Sequence, residues 1–304
     1  MSSVEIRKVE TKKDLKAFIE FHYDLYEGNE YDVPPLYSDD YNTLSRDRNA
    51  AFDFCEAEYY LAYKSGKIVG RVAAIINHKA NKRWDRKSVR FGWIDFIDDY
   101  SVSAMLLDTV AQWGKEQGMN AMQGPMGFID FDREGMLIEG FDRIGTMSTH
   151  YNYPYYPEHM KRYGLEKEID WMERKVMAPA EVPEKFARIA QIAAKRSNLH
   201  IKKLKSMKEV HEKGYGKKIF DLINESYAPL FGYSRLSDKK IQQLIDTYLP
   251  LIDLRMQTLI MNEKEELVCV GLSMPSIVHA LQKSGGKLFP FGWWHLLKET
   301  TSQR

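Results

Sequence analysis

Cysteine is scarce in this sequence of 304 residues, which contains only Cys55 and Cys269. A disulfide framework and a Cys-rich metal site both need more cysteines than these two. The eight histidines show no HExxH or other close ligand spacing, so we expect no metal cofactor. Few cysteines are typical of proteins in a reducing compartment, and we expect a cytoplasmic location.

An excess of charge of one sign is also absent, because 44 Lys and Arg residues face 43 Asp and Glu residues. A net charge of +1 gives no general attraction to nucleic acid or to an anionic membrane. The longest aliphatic runs, such as Val72–Ile76, are far shorter than the ~20 residues of a bilayer-spanning helix. The first residues, MSSVEIRKVE, lack the apolar region of a signal peptide. We therefore expect neither nucleic acid nor membrane as a partner.

The sequence does contain a repeated strand, helix and hairpin pattern. Val4–Ala17 and Leu199–Glu212 both begin with alternating apolar and charged residues, which predicts a short strand. In both segments a hydroxyl residue is followed three positions later by an acid, as in the capping box of a helix. Later, Tyr59–Ile76 and Arg255–Met274 each predict a β-hairpin. We interpret the pattern as a duplication; a common α/β pattern that arose twice by chance is the alternative.

Beyond its hairpin, the first copy continues through further predicted elements. Val89–Ile97 predicts a strand, and the helical spacing that follows it ends at Gly118. The sequence then predicts a strand at Ala121–Gln123, a helix near Glu158–Tyr163 and a closing strand at Ile169–Met177.

The second copy lacks counterparts of roughly Leu106–Met177. We therefore predict a complete domain over residues 1–178, a linking helix over 179–198 that starts after Pro183, and a partial second domain over 199–304. The predicted fold class is α/β with a mixed α+β sheet. A hairpin without its next strand leaves an open sheet edge, through which a homodimer could form.

Several stretches are similar to one known group of proteins. They are GKIVGRVAAIINHKAN (Gly66–Asn81), FGWIDFIDD (Phe91–Asp99), GMNAMQGPMGF (Gly118–Phe128), EGMLIEGFDR (Glu134–Arg143), HYNYPYY (His150–Tyr156) and SGGKLFPFGWWHLL (Ser284–Leu297). With the order of elements, they make the chain resemble the tandem GNAT-like bacterial proteins related to N-acyl amino acid synthases, within the GNAT superfamily of N-acetyltransferases.

The resemblance implies a GNAT-like acyl-CoA N-acyltransferase fold in the first half. It implies transfer of an acyl group from acyl-CoA, or another thioester, to a primary amine such as an amino acid. Backbone N–H groups near Phe96 and Ile97 would then polarise the thioester carbonyl. A non-catalytic small-molecule-binding protein, or pseudoenzyme, on the same fold is the alternative, and a truncated product is a third interpretation.

The sequence departs from the family pattern at two places, which puts activity of the first copy in doubt. Where the family has a glycine-rich loop for the CoA pyrophosphate, this chain has Asp98 and Asp99, which we interpret as N-terminal charges of a helix. Where the family often has a tyrosine as general acid, four residues before a glycine, this chain has Met160. Tyr163 lies nearby, and packing is its simpler role.

The densest polar and aromatic cluster extends from Glu134 to Tyr156. Tyrosine rings beside an acid can hold a substrate ammonium group by hydrogen bonds and cation–π contact. An aromatic loop packed over the sheet edge is the alternative. The candidate catalytic bases are Glu134 and Glu139, and the candidate substrate-binding residues are Asp142, Tyr151, Asn152, Tyr155 and Tyr156.

Overall fold

A computed structural model describes residues 3–249 and 252–302. The described chain forms two compact units. Unit 1 contains the residues up to Asp170, the short segment Gly232–Ser234 and the residues from Pro275 onward. Unit 2 contains Trp171–Phe231 and Arg235–Met274.

The strands form one sheet in each unit. They are β1 (Glu5–Lys8), β2 (Cys55–Lys64), β3 (Lys67–Asn77), β4 (Ser88–Phe96), β5 (Ala121–Gln123), β6 (His200–Lys202), β7 (Thr258–Met261) and β8 (Leu267–Gly271).

The helices follow the strands in the order that the repeat pattern predicts. They are α1 (Lys12–Leu25), α2 (Tyr37–Leu44), α3 (His78–Arg83), α4 (Tyr100–Glu116), α5 (Tyr155–Tyr163), α6 (Glu184–Arg196), α7 (Met207–Glu212), α8 (Tyr215–Ser226), α9 (Asp238–Tyr248), α10 (Val278–Ser284) and α11 (Gly292–Ser302). Short 3₁₀ helices lie at Ala50–Asp53 and Leu254–Met256.

The sheet of unit 1 has the order β1-β2-β3-β4-β5. Neighbouring strands are antiparallel except for the parallel pair β4 and β5, so the sheet is mixed, as predicted. Strand β3 is buried along nearly its whole length because strands flank it on both sides. Helix α4 covers the sheet with Val102, Leu106 and Val110, which are fully buried and lie four residues apart on one helical face.

Strand β4 is bulged at Trp93, whose φ is 45°. The register with β3 shifts there, because Arg71 pairs with Asp95 whereas Ala73 pairs with Gly92. A bulge adds a residue to one strand and turns its side chains relative to the partner strand. Consequently the last residues of β4 present a different face from the one that a regular strand would present.

Unit 2 repeats the first three strands of unit 1. Its sheet has the order β6-β7-β8, with antiparallel pairing throughout, and β7 supplies the buried Leu259 and Met261. Ser206 accepts the Glu209 N–H at the start of α7, as Thr11 accepts the Asp14 N–H at the start of α1. The predicted strand, capped helix and hairpin are therefore present in both places.

One predicted strand is wrong. Ile169–Met177 is neither helix nor strand, and all of these residues are exposed, including Trp171 and Val176. The segment contains five apolar residues, but no neighbouring strand pairs with it in the described structure. Backbone pairing, and not the pattern alone, makes a strand.

The boundaries of the compact units differ from the predicted domain boundaries. The residues from Pro275 onward, placed by the sequence in the second copy, pack in unit 1. There Ile277, Val278 and Leu281 of the α10 region pack with Val33. The division at residues 178 and 198 stays a prediction about homologous copies, whereas the compact units describe which residues pack together.

Candidate functional site

A small cavity of about 50 Å³ lies in unit 1 where strands β4 and β5 stop pairing. Strand β5 pairs only with Ser88–Arg90, although β4 continues to Phe96. Among the described residues, no strand pairs with the second half of β4 on that side. The polar and aromatic residues that line the cavity are His22, Asp40, Arg71, Trp93, Asp95, Arg133, His150, Tyr151, Asn152 and Tyr156.

Asp95, in the bulged part of β4, is the most connected group of the cavity. Its Oδ2 accepts hydrogen bonds from Arg71 Nε at 2.8 Å and lies 2.7 Å from Arg71 Nη2. Its Oδ1 accepts from the hydroxyl groups of Tyr156 at 3.1 Å and Tyr26 at 3.3 Å. Desolvation would raise the pKa of Asp95, but Arg71 and His22 outweigh it and hold the pKa well below its usual range. Asp95 is therefore a buried, ionised carboxylate.

His22 lies between two carboxylates. It occupies the buried face of α1, one turn after Phe18. Its Nδ1 is 3.2 Å from Asp95 Oδ2, and its Nε2 is 3.6 Å from Asp32 Oδ1. Desolvation raises the pKa of Asp32, and the nearby His22 opposes that shift. A carboxylate that holds one ring nitrogen of a histidine orients the ring, and this arrangement suits proton transfer at the other nitrogen.

Tyrosine rings form one wall of the cavity. The hydroxyl oxygens of Tyr26 and Tyr156 lie 3.0 Å apart, within hydrogen-bond distance. Tyr26 also stacks on Tyr153, with ring centroids 5.0 Å apart. Tyr151 meets Tyr26 edge to face at 6.0 Å. Burial raises the pKa of Tyr26 and Tyr156 well above the ordinary value. These tyrosines are therefore neutral donors and apolar walls.

The structure separates the predicted substrate-binding residues into two groups. Tyr151, Asn152 and Tyr156 line the cavity, whereas Tyr155 and Asp142 are not among the lining residues. The Tyr155 hydroxyl donates to the Phe96 carbonyl at 2.6 Å, and Asp142 is exposed.

Asn152 lines the cavity but holds the polypeptide with its amide group. Its Oδ1 accepts the Leu137 N–H at 2.6 Å, and its Nδ2 donates to the Leu137 carbonyl at 3.1 Å. Both ends of the amide are thereby used to fix the loop before α5. Asn152 shapes the cavity wall through this pairing.

The two predicted catalytic bases lie away from the cavity lining. Glu139 is exposed. Glu134 belongs to a second buried polar cluster with Arg90 and Asp130, where desolvation and the nearby Asp130 raise its pKa to about 8. The Arg90 guanidinium donates to the Gly127 carbonyl at 2.9 Å in the same cluster. The geometry supports neither glutamate as the base of this cavity.

The expected role of the backbone at Phe96 and Ile97 disagrees with the structure. The Phe96 N–H donates to the Tyr156 hydroxyl at 3.2 Å, and the Ile97 N–H donates to the Val69 carbonyl at 3.0 Å. Phe96 is fully buried. Since both N–H groups are already engaged, they are not available to a thioester carbonyl.

The N-terminus of α4 is capped by the chain itself. Asp99 accepts the Ser101 N–H at 2.9 Å, and Lys64 Nζ lies 2.5 Å from its other oxygen. The hydrogen bonds of Lys64 and Ser101 lower the pKa of Asp99 to about 2. Asp98 lies 3.1 Å from His159 Nε2. Asp99 therefore caps α4, and the predicted negative charge at the start of this helix is present.

Packing explains the two residues considered as a general acid. Met160 is buried in the core beside α4. The Tyr163 hydroxyl donates to Asp108 at 2.8 Å, outside the cavity. Neither residue acts on the cavity described here.

Sequence reasoning missed His22, Arg71, Asp95 and Asp40. The signal was present for the first three, because each is a charged or titratable residue on the apolar face of a helix or inside an apolar strand. Such residues are rarely buried unless they are paired. What the sequence did not reveal was their pairing, since Arg71 and Asp95 meet only across the bulge of β4.

No group of three or more His, Cys, Asp or Glu side chains within 3–249 and 252–302 is placed to hold a metal ion. No helix in those ranges combines the length and the apolar character needed to cross a bilayer.

Two curated bacterial proteins are similar to nearly the whole chain. Protein YghO of Escherichia coli is 29% identical over 297 residues, which cover 96% of this chain and 73% of the relative. Bacterial ceramide synthase of Caulobacter vibrioides is 25% identical over 300 residues, which cover 97% of this chain and 76% of the relative. No protein-family model matches the chain.

Solved structures with a similar arrangement are acetyltransferases. A tandem GNAT protein from the clavulanic acid biosynthesis pathway has a TM-score of 0.46 at 9% identity, covering 87% of this chain and 72% of that one. A predicted acetyltransferase of Clostridium acetobutylicum, solved with acetyl-CoA, has a TM-score of 0.35 at 12% identity, covering 57% of this chain and 96% of that one. The resemblance predicted from the sequence, to tandem GNAT-like proteins, is confirmed by the sequence match to the ceramide synthase together with the element order of unit 1.

Proposed function

We propose that this protein transfers an acyl group from an acyl thioester, such as acyl-CoA, to a primary amine. The similarity over 97% of the chain to a bacterial ceramide synthase supports acyl transfer to an amine, because a ceramide is the amide of a fatty acid and a long-chain amino alcohol. We therefore take a long-chain amine as the first acceptor to test, and a free amino acid as the second.

The observation that carries the proposal is the buried pairing of His22 with Asp95, at a cavity beside the end of β4 that β5 does not cover. Amide formation needs a neutral amine, and a free alkyl ammonium must lose a proton first. A histidine whose other nitrogen is held by an ionised carboxylate is suited to accept that proton. In this proposal the base is His22 instead of the glutamates predicted from the sequence.

The reaction balances without a further reagent. The amine nitrogen forms a bond to the thioester carbonyl carbon, and the carbon–sulfur bond breaks. The thiol leaves with one proton, and the second proton lost by the ammonium group passes to solvent through His22. Holding both reactants in one cavity contributes by proximity and orientation.

The CoA part of a donor is not assigned to the N-terminus of α4. Asp99 and Lys64 fill that place with a capped, paired carboxylate. A pyrophosphate would meet the negative charges of Asp98 and Asp99 there. We therefore propose that the thioester binds at the cavity and that the CoA phosphates do not contact the start of α4.

The test is a direct search for amide product. The purified chain is incubated with acetyl-, octanoyl- or palmitoyl-CoA and with sphinganine or phenylalanine, and thiol release and amide mass are measured together. We expect acylated amine from at least one pair, and a loss of roughly 100-fold or more in kcat for His22→Asn. His78→Asn, at an exposed histidine outside the cavity, is the matched control and should keep the wild-type rate. If wild type forms no amide with any pair, the proposed transfer is wrong.

A non-catalytic binding role on the same fold is the second candidate. The engaged Phe96 N–H and the capped start of α4 favour it, because both remove features that acyl transfer could use. Calorimetry that shows binding of the amine, together with no product in the transfer assay, would support this second candidate.

Two further proposals concern the state of the molecule. We propose that β8 of unit 2 supports a homodimer, because among the described residues it pairs only with β7, and Val268 is exposed. We also propose a reducing, cytoplasmic setting, because neither Cys55 nor Cys269 forms a disulfide bond.

A further inference from the structure

The cavity and its surroundings contain buried hydrogen-bond acceptors that have no donor. Asp40 Oδ2, His22 Nε2 and Asp32 Oδ1 are buried atoms without a hydrogen-bond partner. Asp40 is 9% exposed, and His22 and Asp32 are each 4% exposed. Asp40 and His22 line the cavity directly. A buried polar atom without a partner is costly, so a group of them around one cavity needs an explanation.

Asp40 is fixed by one of its oxygens only. Trp93 Nε1 donates to Asp40 Oδ1 at 3.3 Å, and Trp93 is the residue at which β4 is bulged. The bulge thereby places an indole N–H at the cavity wall. This contact orients the carboxylate and leaves its second oxygen, Oδ2, without a donor.

His22 offers a second acceptor in one of its two neutral tautomers. Its Nδ1 lies 3.2 Å from Asp95 Oδ2, and in the tautomer with its hydrogen on Nδ1 the ring donates to that carboxylate and keeps a lone pair on Nε2. Asp32 Oδ1, at 3.6 Å from Nε2, is too distant for a hydrogen bond and is itself an acceptor. In that tautomer the group missing from His22 Nε2 is a donor, as it is for Asp40 Oδ2.

We propose that the cavity binds the primary ammonium group of the acceptor substrate between Asp40 Oδ2 and His22 Nε2. This inference rests on the proposed function and assigns the amine end of its site. A primary ammonium group carries three N–H donors and one positive charge, which match buried acceptors beside a carboxylate. A hydroxyl group of the same size would bring one donor and no charge.

The assignment also gives the proton a defined route. The ammonium group donates to Asp40 and transfers a proton from nitrogen to His22 Nε2. The resulting imidazolium lies between Asp32 and Asp95, whose carboxylates can stabilise its charge. The neutral amine that remains attacks the thioester carbonyl carbon, and the proton passes from His22 to solvent when product leaves.

The segment that carries Asp32 is held in place from a distant part of the chain. Gln282 of α10 donates from its Nε2 to the Glu30 carbonyl at 2.9 Å and to the Asp32 carbonyl at 3.0 Å. The Tyr37 N–H, at the start of α2, donates to the Gly286 carbonyl at 2.9 Å. Because both ends of the segment between α1 and α2 are fixed, Asp32 and Asp40 are positioned before any ligand arrives.

The experiment compares two ligands of equal length in the absence of acyl-CoA. Binding of n-hexylamine and of 1-hexanol to the full chain is measured by isothermal titration calorimetry at pH 7. We expect wild type to bind the amine at least 10-fold more tightly than the alcohol. Asp40→Asn keeps the acceptor for Trp93 but removes the charge, and we expect it to bind the amine at least 10-fold more weakly. Asp47→Asn, at an exposed site beyond α2, is the matched control and should bind like wild type.

A stability measurement separates ligand binding from a structural role. If Asp40 is kept for a ligand, the empty protein carries an unpaired buried carboxylate, and Asp40→Asn should raise the Tm by about 2–4 °C. If Asp40 instead stabilises the fold, the same substitution should lower the Tm. A lower Tm in Asp40→Asn, or equal amine affinity in Asp40→Asn and wild type, would overturn the proposal.

The outcomes distinguish this inference from the proposed function. Amine binding that depends on Asp40, without amide formation in the transfer assay, would support the ammonium site and contradict the transferase. Amide formation that Asp40→Asn leaves unchanged in KM for the amine would contradict the ammonium site and leave the transferase standing. Wild type that binds hexylamine no better than hexanol also overturns the ammonium site, because a water molecule then suffices as the missing donor.

Discussion

Buried charged residues of unit 1 lie in two separate clusters. The two clusters differ in the ratio of positive to negative groups. At the cavity, Arg71 offsets Asp95 through two nitrogen–oxygen contacts, so this carboxylate is ionised. Around Glu134, the single cation Arg90 faces more than one carboxyl group, and Glu134 Oε2 is buried without a hydrogen-bond partner. A carboxyl group in such surroundings retains its proton near neutral pH. Two carboxyl groups of the same unit, Asp95 and Glu134, therefore have opposite protonation states.

Glu134 should make the protein less stable as the pH rises. Its pKa is about 8 in the folded state and about 4.5 when unfolded, so the folded state binds more protons between these values. The stabilisation is complete below pH 4.5 and is lost as the pH rises toward 8. We expect the free energy of unfolding to fall over this window by roughly 1–3 kcal/mol from this group.

Urea unfolding of wild type and Glu134→Gln at several pH values measures this contribution. The glutamine variant should lose that part of the slope, because it has no proton to release. Glu139→Gln, at an exposed site, is the control and should retain the wild-type slope. Identical slopes in all three proteins would contradict the assigned protonation state of Glu134.

Helix α4 and strand β4 together define where the cavity can exist. They pack closely, because Gly114 of α4 leaves space for the β-branched side chain of Val89 in β4. The parallel partner β5 covers only the first residues of β4, and the bulge at Trp93 turns the remainder toward the cavity. Helix α4 thus packs against one face of β4, and the bulge in β4 creates the cavity.

Gly114→Ala should destabilise the protein although alanine favours helices. An added Cβ would lie 2.5 Å from Val89 Cγ1 and 2.8 Å from Val89 Cβ, and the Cβ is fixed by the backbone of β4. The helix propensity of alanine contributes ~1 kcal/mol, and the overlap costs about 1–3 kcal/mol or more. Thermal unfolding should therefore show a lower Tm for Gly114→Ala.

Gln112→Ala, on the exposed side of the same helix, is the control for this comparison. It should change the stability by less than about 0.5 kcal/mol. A higher Tm for Gly114→Ala would mean that α4 and β4 are less tightly packed than the structure shows.

The elements of the fold were more predictable than the site, for a physical reason. Strand alternation, helix caps and the hairpin turn at Ser65 and Gly66 depend on residues close in sequence, so a local pattern predicts them. The contact of Asp40 with Trp93 joins residues that no local pattern relates. The wrong strand at Ile169–Met177 has the same origin, because its apolar residues do not reveal whether a neighbouring strand is present to pair with it.

The candidate site was predicted in part. Tyr151 and Tyr156 were expected from the density of aromatic residues, and they line the cavity. Glu134 belonged to the same stretch of sequence but is buried elsewhere, since the turns between Gly127 and Tyr151 direct its side chain away. The density of aromatic residues in the sequence therefore predicted part of the cavity wall. The same stretch of sequence gave the wrong candidates for the catalytic base.

At the scale of the whole molecule, the chain leaves unit 1 and returns to it. Unit 1 draws on three separate stretches of sequence, and unit 2 is built from the stretches between them. Unit 2 repeats the strand order of the first three strands of unit 1, which the interpretation as a duplication predicts. The returning residues are those that reach the segment carrying Asp32.

Strand β8 should mediate self-association at high concentration. Its exposed Val268 and free Cys269 lie on an edge strand of a three-stranded sheet, and an unpaired strand edge can pair with a second copy. Light scattering after size exclusion, from about 10 to 200 µM, should show a mass that rises toward the dimer. Val268→Lys should keep the monomer mass over the same range, since a charged edge resists pairing.

Lys64→Ser, which changes a residue of unit 1, controls for a general effect of surface charge. It should associate as wild type does. Wild type that stays monomeric at the highest concentration would contradict the proposed dimer.

The return of the chain to unit 1 has a consequence for the order in which the protein can mature during synthesis. A ribosome releases residues from the N-terminus first, and domains built from early residues can fold before the rest has been made. The ammonium site cannot follow that schedule, because Asp32 is held by Gln282 and the start of α2 by Gly286. Unit 2 has been synthesised by the time these residues emerge. A nascent chain arrested before Gln282 should therefore hold the sheet of unit 1 with its amine-binding segment still unfastened.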